Sequence, residues 1–366
     1  MKKNILVIDD SALMRRVLSD SINSDPRFIV KDVAVNGEEG LKMLLETPTL
    51  YDAVLLDIYM PKMTGLELLV ELEKHKEVKP KVVICSTRAD ESATETLTAL
   101  EHGAFDFIKK PDNLVQARGN MFREHLLEIL DVATQARTPV IPKRPEVRPV
   151  LSASKSSALT APPLAEKLVF SKGTGNKLIA LACSTGGPKT LQSVIPYLPK
   201  ELDAPMVLVQ HMPAGFTSSL ADRLNEISKV RVKEAEDGEL LEKGTVYIAP
   251  GGKHLKVAGA KGAPRIIVSD EPPRDALKPC ANLMYESLVD SRFDEIVCVV
   301  LTGMGADGTE GIKALKAKKK VYVIAQDEAT CVVYGMPKMV ARARLTDEVL
   351  PVTEIANTIT KKVGVQ

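Results

Sequence analysis

The chain has 366 residues, which is more than one hydrophobic core usually organises and therefore favours two domains. Its hydrophobic content of 45% and charged content of 27% are ordinary for soluble globular domains. The net charge of +1 argues against a general nucleic-acid-binding role, because there is no basic excess to neutralise phosphates over a wide surface.

The cysteines and the hydropathy of the chain indicate which kinds of protein it is not. The five cysteines form no CxxC pair and have no metal-like spacing with the five histidines, so we expect buried, reduced thiols and neither a disulfide framework nor a zinc site. No apolar run reaches the roughly 18 residues of a membrane span, and Met1-Lys2-Lys3 lead directly into a strand pattern. We therefore expect a cytoplasmic protein without membrane insertion.

Residues 1–130 alternate short apolar runs with segments of helical period. This pattern is typical of a doubly wound, parallel five-stranded sheet. Ser11 is expected to cap the first helix, and Gly37 to open the second. The predicted strands are 4–8, 28–35, 53–56, 81–85 and 105–109.

Polar side chains follow four of these strands. Asp9 and Asp10 come after the first, Asp57 after the third, Ser86 after the fourth and Lys110 after the fifth. Because ligands of parallel sheets collect outside the carboxyl ends of strands, we expect one site. Three adjacent carboxylates without a cation would repel one another, so the cluster predicts Mg²⁺ beside a phosphate-accepting carboxylate.

Each group in this pocket has a predicted role. Lys110 would pair with the acyl phosphate on Asp57, and the Ser86 hydroxyl would follow the phosphate and carry a rearrangement outward. Pro111 is placed for a cis turn that would aim Lys110. The alternative is that Asp9-Asp10 only caps the first helix and Asp57 only ends a strand, but the joint arrangement of these residues outweighs it.

With the pocket residues described above, the segment 1–125 resembles the receiver domain of bacterial two-component response regulators. The resemblance implies a flavodoxin-like fold and phosphorylation of Asp57 by a histidine kinase. It also implies direct Mg²⁺ ligation by Asp10, Asp57 and the backbone carbonyl of Tyr59, with Asp9 acting through water. Thr64 stands where the family usually has Asp, a departure expected to affect only the loop. The motifs are Asp9-Asp10, Asp57-Ile58-Tyr59-Met60-Pro61, Ser86 and Lys110-Pro111.

Residues 131–176 lack periodicity and are rich in Pro and Ser, which predicts a semi-extended linker. A basic recognition segment is the alternative, because Lys143, Arg144 and Arg148 cluster there. Periodic structure resumes over 177–366, with strands predicted at 178–182, 206–210, 245–249, 296–301 and 321–325 and helices between several of them. Gly251-Gly252, between two short β-type runs, suggests a hairpin outside the sheet.

A nucleophile pattern opens this second domain. Ser184 follows a strand and precedes Gly186-Gly187, which permit a sharp turn, and Pro188, which suits the first turn of a helix. Helix amides would lie near its hydroxyl to stabilise an oxyanion. His211 and Asp307 follow two other strands, so the three side chains can converge as nucleophile, base and orienting acid.

Other assignments stay open from the residues alone. His211 could be a structural histidine, with His254 as a rival base, and Asp307 could only cap a helix. Cys183 could be a thiol nucleophile, but neighbouring strand residues face opposite sides, so only one of Cys183 and Ser184 can meet His211. The acids Asp270, Asp294 and Asp327 are less well placed than Asp307.

Three long ungapped motifs give residues 177–360 a resemblance to the catalytic domain of the chemotaxis protein-glutamate methylesterase (CheB) family, an α/β hydrolase-type domain with a mostly parallel sheet. They are Ser184-Thr185-Gly186-Gly187-Pro188, Gln210-His211-Met212-Pro213-Ala214-Gly215-Phe216-Thr217 and Leu301-Thr302-Gly303-Met304-Gly305-Ala306-Asp307-Gly308. The match extends through Ile324-Ala325-Gln326-Asp327-Glu328-Ala329 and Val332-Val333-Tyr334-Gly335-Met336-Pro337.

The resemblance implies hydrolysis of glutamyl methyl esters on methyl-accepting chemoreceptors, often with deamidation of receptor glutamines, without a cofactor in the esterase site. It implies Ser184 as nucleophile, His211 as base and Asp307 as its orienter. Backbone amides near Thr185 and Met304 are the oxyanion candidates. The receiver domain is expected to cover the Ser184 cleft until Asp57 is phosphorylated.

Two departures from the family pattern leave rival functions open. Ala182-Cys183 stands where the family generally has Gly-Ala, and residues 275–280 replace a usual basic, His-containing stretch. Ala182-Cys183 could crowd the turn at Ser184, and the change at 275–280 bears on substrate specificity. The rivals are a hydrolase of other acyl or amide substrates and a non-enzymatic signalling adaptor.

Overall fold

A computed structural model describes residues 2–86, 93–111, 113, 119–136, 176–259 and 263–364. Within these ranges no helix is both long and apolar enough to cross a lipid bilayer. All five cysteines are free and buried, as the sequence predicts.

The first sheet contains the five predicted strands, all parallel, in the order β2-β1-β3-β4-β5. The interiors of its central strands are apolar on both faces, as expected for a parallel sheet that helices cover on both sides. The order reverses beside β1, which is where such sheets form a ligand crevice. The elements are β1 Lys3–Ile8, α1 Ala12–Asn23, β2 Phe28–Ala34, α2 Gly37–Glu46, β3 Ala53–Asp57, α3 Gly65–Leu72, β4 Lys81–Ser86, α4 Ala93–Glu101, β5 Asp106–Lys109 and α5 Asn120–Gln135.

The helix starts in this domain follow local hydrogen bonding. Ser11 caps α1 by accepting from the Met14 amide at 3.3 Å, as predicted. Thr64 does more than shape its loop. Its hydroxyl accepts from the Glu67 amide while the Glu67 carboxylate accepts from the Thr64 amide, which forms a capping box at the start of α3.

The second sheet has seven parallel strands in the order β14-β13-β12-β6-β7-β9-β8. Its strands include the five predicted ones, and the short edge strands β8 and β14 were not predicted. The elements are β6 Lys177–Cys183, α6 Gly187–Gln192, β7 Met206–Gln210, α7 Phe216–Ile227, β8 Arg231–Glu234, β9 Thr245–Ile248, β10 His254–Ala258, β11 Arg265–Ser269, α8 Ala281–Ser287, β12 Glu295–Val300, α9 Thr309–Lys316, β13 Lys320–Gln326, α10 Met336–Arg342, β14 Glu348–Leu350 and α11 Val352–Val363.

The predicted hairpin exists, but its position differs from the expectation. β10 pairs with β11 in a separate antiparallel ribbon, so its turn lies after Ala258. Gly251 and Gly252 instead join β9 to β10, two strands that belong to different sheets. A Cβ on Gly251 would lie 2.1 Å from the Pro213 carbonyl oxygen, so this glycine permits a close backbone approach.

The connection between the sheets lies mostly outside the described residues. Helix α5 continues through Gln135, beyond the predicted domain boundary at residue 130. The Pro- and Ser-rich stretch, with its basic alternative, falls largely among the residues that the structure does not describe.

The capping box at Thr64 generates the first prediction. Replacing Thr64 with Ala removes the hydroxyl that accepts from Glu67, so we expect the free energy of unfolding to fall by about 0.5–2 kcal/mol. Urea denaturation of the full chain measures the change. Thr64→Ser keeps the hydroxyl and is the control; equal stability of the Ala and Ser variants would contradict the role assigned to the cap.

Candidate functional site

The acidic pocket forms at the carboxyl ends of β1, β3 and β5. Carboxylate oxygens of Asp9, Asp10 and Asp57 lie within 4.8 Å of one another. The Lys110 Nζ atom lies 2.6 Å from Asp9 Oδ2 and 2.7 Å from Asp57 Oδ2. Asp9, Asp57 and Lys110 are buried, whereas Asp10 is exposed. The structure therefore brings these four predicted residues together.

Burial and charge act against each other in this pocket. Burial raises the pKa of the Asp57 carboxyl, and the Lys110 charge and the Ile58 amide offset that rise only in part. Burial would lower the pKa of Lys110, but the carboxylates of Asp57 and Asp9 outweigh it and raise the value. A charged Lys110 against three carboxylates leaves the pocket negative, which suits an oxygen-binding cation.

The remaining receiver residues lie around this pocket. Ser86 is buried at the end of β4, and its carbonyl accepts from the Lys110 amide at 2.7 Å. Tyr59 is about half exposed in the loop after β3. The expectation of a cis Lys110–Pro111 bond is wrong, because Lys278–Pro279 is the cis peptide found among the described residues.

Ser184 lies on the predicted sharp turn between β6 and α6. Its carbonyl accepts from the Gly187 amide at 2.7 Å, and its own amide donates to the Thr302 carbonyl at 3.0 Å. Gly186 has a φ of 75°. A Cβ there would lie 2.4 Å from the Val332 Cβ, so both conformation and space require glycine.

His211 and Asp307 form a direct pair. The imidazole Nε2 lies 2.8 Å from Asp307 Oδ2, and both side chains are nearly buried. Burial would raise the pKa of Asp307, but the hydrogen bond and charge of His211, with two backbone amides, hold it below its usual value. Since Nε2 faces the carboxylate, Nδ1 is the ring nitrogen left for proton transfer.

Gln210 links the turn of Ser184 to His211. Its Nε2 donates to the carbonyl oxygens of both Ser184 and His211 at 3.1 Å, and its Oε1 accepts from the Cys183 thiol at 3.0 Å. Its side chain is buried. The His211 amide also donates to the Cys183 carbonyl at 3.2 Å. One amide side chain therefore holds the two segments together.

The rival residues are engaged elsewhere. His254 is buried with Nε2 3.1 Å from the Pro272 carbonyl. Asp270 pairs with two lysines, Asp294 accepts from the Asn176 amide, and Asp327 caps the turn at Thr330. Burial raises the pKa of the Cys183 thiol well above its ordinary value, which disfavours the thiolate that a nucleophile requires.

The loop after β12 lies against the Ser184 turn. The Thr302 hydroxyl donates to the Thr185 carbonyl at 3.0 Å, and Gln326 Oε1 accepts from the Thr302 amide at 2.8 Å. A Cβ on Gly303 would lie 2.8 Å from the Ser184 Cβ. Met304, the next residue, is part-buried. The segments of Thr185 and Met304 thus lie beside Ser184.

The first domain contacts this site through β5 and α4. Burial raises the pKa of the Asp106 carboxyl, and the neighbouring Thr185 hydroxyl offsets only part of that rise. The rings of Phe107 and Phe216 stack with centroids 4.7 Å apart. One hydrophobic cluster contains both rings and so continues from one domain into the other.

A polar contact borders the aromatic stack. Glu101 Oε1 lies 2.9 Å from Arg223 Nε and 2.8 Å from Gln192 Nε2, and Glu101 Oε2 lies 3.2 Å from Arg223 Nη2. Arg223 also pairs with Glu226 within α7. A single receiver carboxylate therefore binds two helices of the second domain.

Comparison with known proteins agrees with this geometry. Residues 5–118 match the response regulator receiver domain, and residues 179–359 match CheB methylesterase. A protein-glutamate methylesterase/protein-glutamine glutaminase 1 of Syntrophomonas wolfei subsp. wolfei is 40% identical over 364 residues, covering 98% of each chain. The chain belongs to the CheB methylesterase family.

Further CheB relatives support the same assignment. The protein-glutamate methylesterase/protein-glutamine glutaminase of Bacillus subtilis is 39% identical over 359 residues, with 97% of each chain covered. The crystal structure of the Thermotoga maritima CheB methylesterase catalytic domain is 41% identical, with a TM-score of 0.50, and covers 51% of this chain and 99% of that chain. The likeness therefore includes the fold as well as the sequence.

Sequence reasoning missed the residues that hold the CheB-type site together. Gln210 lies inside a recognised motif, but its bridging role depends on the register of Cys183 opposite Gln210. Asn282 and Cys280 contact Asp307 from a segment that has no motif signal. Cys183 does not crowd the turn, because its thiol donates to Gln210.

Close packing at Gly187 generates the second prediction. A Cβ there would lie 1.9 Å from Gln210 Oε1 and 3.1 Å from Cys183 Sγ, so Gly187→Ala must displace Gln210 from its hydrogen bonds. We expect a loss of about 1–3 kcal/mol in unfolding free energy. In the Gln210→Ala background the same change should cost much less. Urea denaturation of the four proteins in this cycle measures the coupling, and strictly additive effects would contradict it.

Proposed function

We propose that this CheB-family chain is a phosphorylation-gated serine esterase that hydrolyses glutamyl methyl esters on chemoreceptors and deamidates selected receptor glutamines. The main support is the His211–Asp307 pair. Gln210 connects this pair to the turn of Ser184 by hydrogen bonds to the carbonyl oxygens of Ser184 and His211. The printed names of relatives about 40% identical over nearly the whole chain support the same substrate class.

The proposed chemistry uses three side chains. His211 Nδ1 takes the Ser184 proton as Oγ attacks the ester carbonyl carbon, and the imidazolium then protonates the departing methoxide, which leaves as methanol. Water hydrolyses the acyl-enzyme by the same proton path and releases the glutamate. Asp307 holds the tautomer through Nε2 and stabilises the imidazolium. Amides near Thr185 and Met304 stabilise the oxyanion.

Magnesium is the proposed cofactor of the receiver pocket, and no cofactor is proposed for the esterase site. Asp9, Asp10 and Asp57 fit an oxygen-binding cation, because their ligand atoms lie within 4.8 Å of one another. Asp10, Asp57 and the Tyr59 carbonyl would hold the ion, with Asp9 acting through water. The ion would supply positive charge to the phosphate, while Lys110 pairs with its oxygens and Ser86 follows it.

Strand β5 supports a direct route from phosphate to esterase. Its first residue, Asp106, lies near Thr185, the residue after the nucleophile, and Lys110 directly follows its last residue. Phosphorylation of Asp57 would draw Lys110 away from Asp9 and shift β5, which weakens the contact with the second domain. Shifting the equilibrium between the closed and the separated domains from 1:99 to 99:1 takes about 5.5 kcal/mol.

The proposed function implies a domain organisation, two partners and a cellular location. The receiver domain extends through the end of α5 at Gln135, past the predicted boundary at 130, and a linker joins it to the methylesterase domain at 177–366. A chemotaxis histidine kinase donates the phosphoryl group, and methyl-accepting receptors are the substrate. The protein acts in the cytoplasm, with no nucleic acid as a partner.

Methanol release from methylated receptor membranes tests the activity. Ser184→Ala should lower the rate by about 10⁴-fold or more, because the nucleophile is lost. A small phosphodonor with Mg²⁺ should stimulate the wild type but not Asp57→Ala, which lacks the acceptor carboxylate. Undiminished release by Ser184→Ala would refute the proposed nucleophile, and stimulation of Asp57→Ala would refute the proposed acceptor.

The contact at Glu101 tests the gate. Glu101→Gln removes the charge that binds Arg223, and we expect the unphosphorylated rate to rise about two- to five-fold, the size of a partly exposed ion pair. The phosphorylated rate should not change. Glu226→Gln removes the other partner of Arg223, within α7, and is the matched control. Equal rates for wild type and Glu101→Gln would argue against closure by this contact.

A further inference from the structure

Asp307 accepts more hydrogen bonds than its pairing with His211 requires. Oδ2 lies 2.8 Å from His211 Nε2 and 2.6 Å from the Ala281 amide. Oδ1 lies 2.9 Å from the amides of Asn282 and Gly308 and 3.3 Å from Cys280 Sγ. Since a carboxylate offers about four lone-pair sites, these five donors leave it little freedom to rotate.

Asn282 contacts this carboxylate and also the segment that carries it. Its amide donates to Asp307, while its side-chain Oδ1 accepts from the Gly308 amide at 3.0 Å and the Gly311 amide at 2.8 Å. The residue is 6% exposed. A Cβ on Gly311 would lie 2.7 Å from the Asn282 carbonyl oxygen, so α8 and α9 meet directly here.

We propose that Asn282 is a positioning residue for the esterase, which acts through Asp307 to fix the carboxylate against His211. The inference rests on the proposed function. The donors to the carboxylate prevent rotation about the Asp307 side chain, and the bonds to Gly308 and Gly311 prevent movement of its backbone. Asn282 takes part in both restraints, through its amide in the first and its side chain in the second.

The charged and titratable groups around the carboxylate are few among the described residues. His211 faces it from the end of β7 and Cys280 from the start of α8. Tyr285 in α8 is also nearby, and its phenol stays neutral because burial, with the charges around it, raises its pKa well above the usual value. Burial, with the nearby Asp307 charge, raises the pKa of Cys280 to about 12, so the thiol stays a neutral donor. Arg274, which interacts electrostatically with Cys280, forms an ion pair with Glu286 at 2.6 Å. An added charge at residue 282 would therefore act mainly on the His211–Asp307 pair.

Two substitutions separate positioning from simple stability. Asn282→Ala removes the acceptor for Gly308 and Gly311, and we expect kcat to fall about 10- to 100-fold with little change in KM, because the side chain is buried against the backbone that carries Asp307. Asn282→Asp keeps an acceptor for both amides and adds one negative charge. That charge favours imidazolium, so the acid limb of the kcat/KM profile should move up by about half to one pH unit.

Asn225 provides the matched control. Its Oδ1 also accepts a backbone amide, that of Val232 at 2.9 Å, but it lies at the end of α7 and not at Asp307. Asn225→Asp and Asn225→Ala should leave the acid limb and kcat unchanged. Urea denaturation of all four full-length variants shows whether each is folded under the assay conditions.

The readouts are methanol release from methylated receptors, hydrolysis of a small acyl ester, and NMR titration of the His211 ring protons. An unshifted acid limb and titration in folded Asn282→Asp, or an undiminished kcat in Asn282→Ala, would overturn the inference. If the wild type hydrolyses neither ester, the proposed function fails on its own. The His211 titration of Asn282→Asp then still decides whether Asn282 acts on the pair.

Discussion

Parallel strands that end at one edge of a sheet bring the residues after them within bonding distance, and both halves of this chain depend on that constraint. In the first sheet it gathers Asp9, Asp57 and Lys110 from three strands that are far apart in sequence. In the second it gathers the turn of Ser184, His211 and Asp307. Apolar strand interiors fix the register, and the polar ends then have few alternative partners.

The two sites differ in how their buried charges are stabilised. In the receiver pocket one ammonium serves two carboxylates, so the balance of charge changes when a phosphate or cation enters. Asp307 is instead surrounded by backbone amides and one thiol, whose positions are fixed by two helices. The first arrangement responds to ligands, whereas the second holds one geometry, which is what preorganised catalysis requires.

Strong local patterns account for what the sequence could predict. Apolar runs predicted all five strands of the first sheet and five of the second, and the residues after them formed the two candidate sites. The short strand at Glu348–Leu350 was missed because three half-exposed residues carry little periodic signal. Gln210 and Asn282 could not be predicted as bridges, because their partners are backbone groups brought near only by register and helix packing. The misplaced hairpin turn shows that a Gly-Gly pair can mark close backbone approach instead.

Because the rings of Phe107 and Phe216 stack between the domains, the strength of the contact depends on temperature. Apolar burial near room temperature is driven largely by entropy and weakens on cooling, whereas the ion pair at Glu101 has no such dependence on solvent ordering around rings. A domain contact that relies on aromatic packing therefore weakens on cooling. In the proposed gate, temperature would therefore act on the same domain contact as phosphorylation.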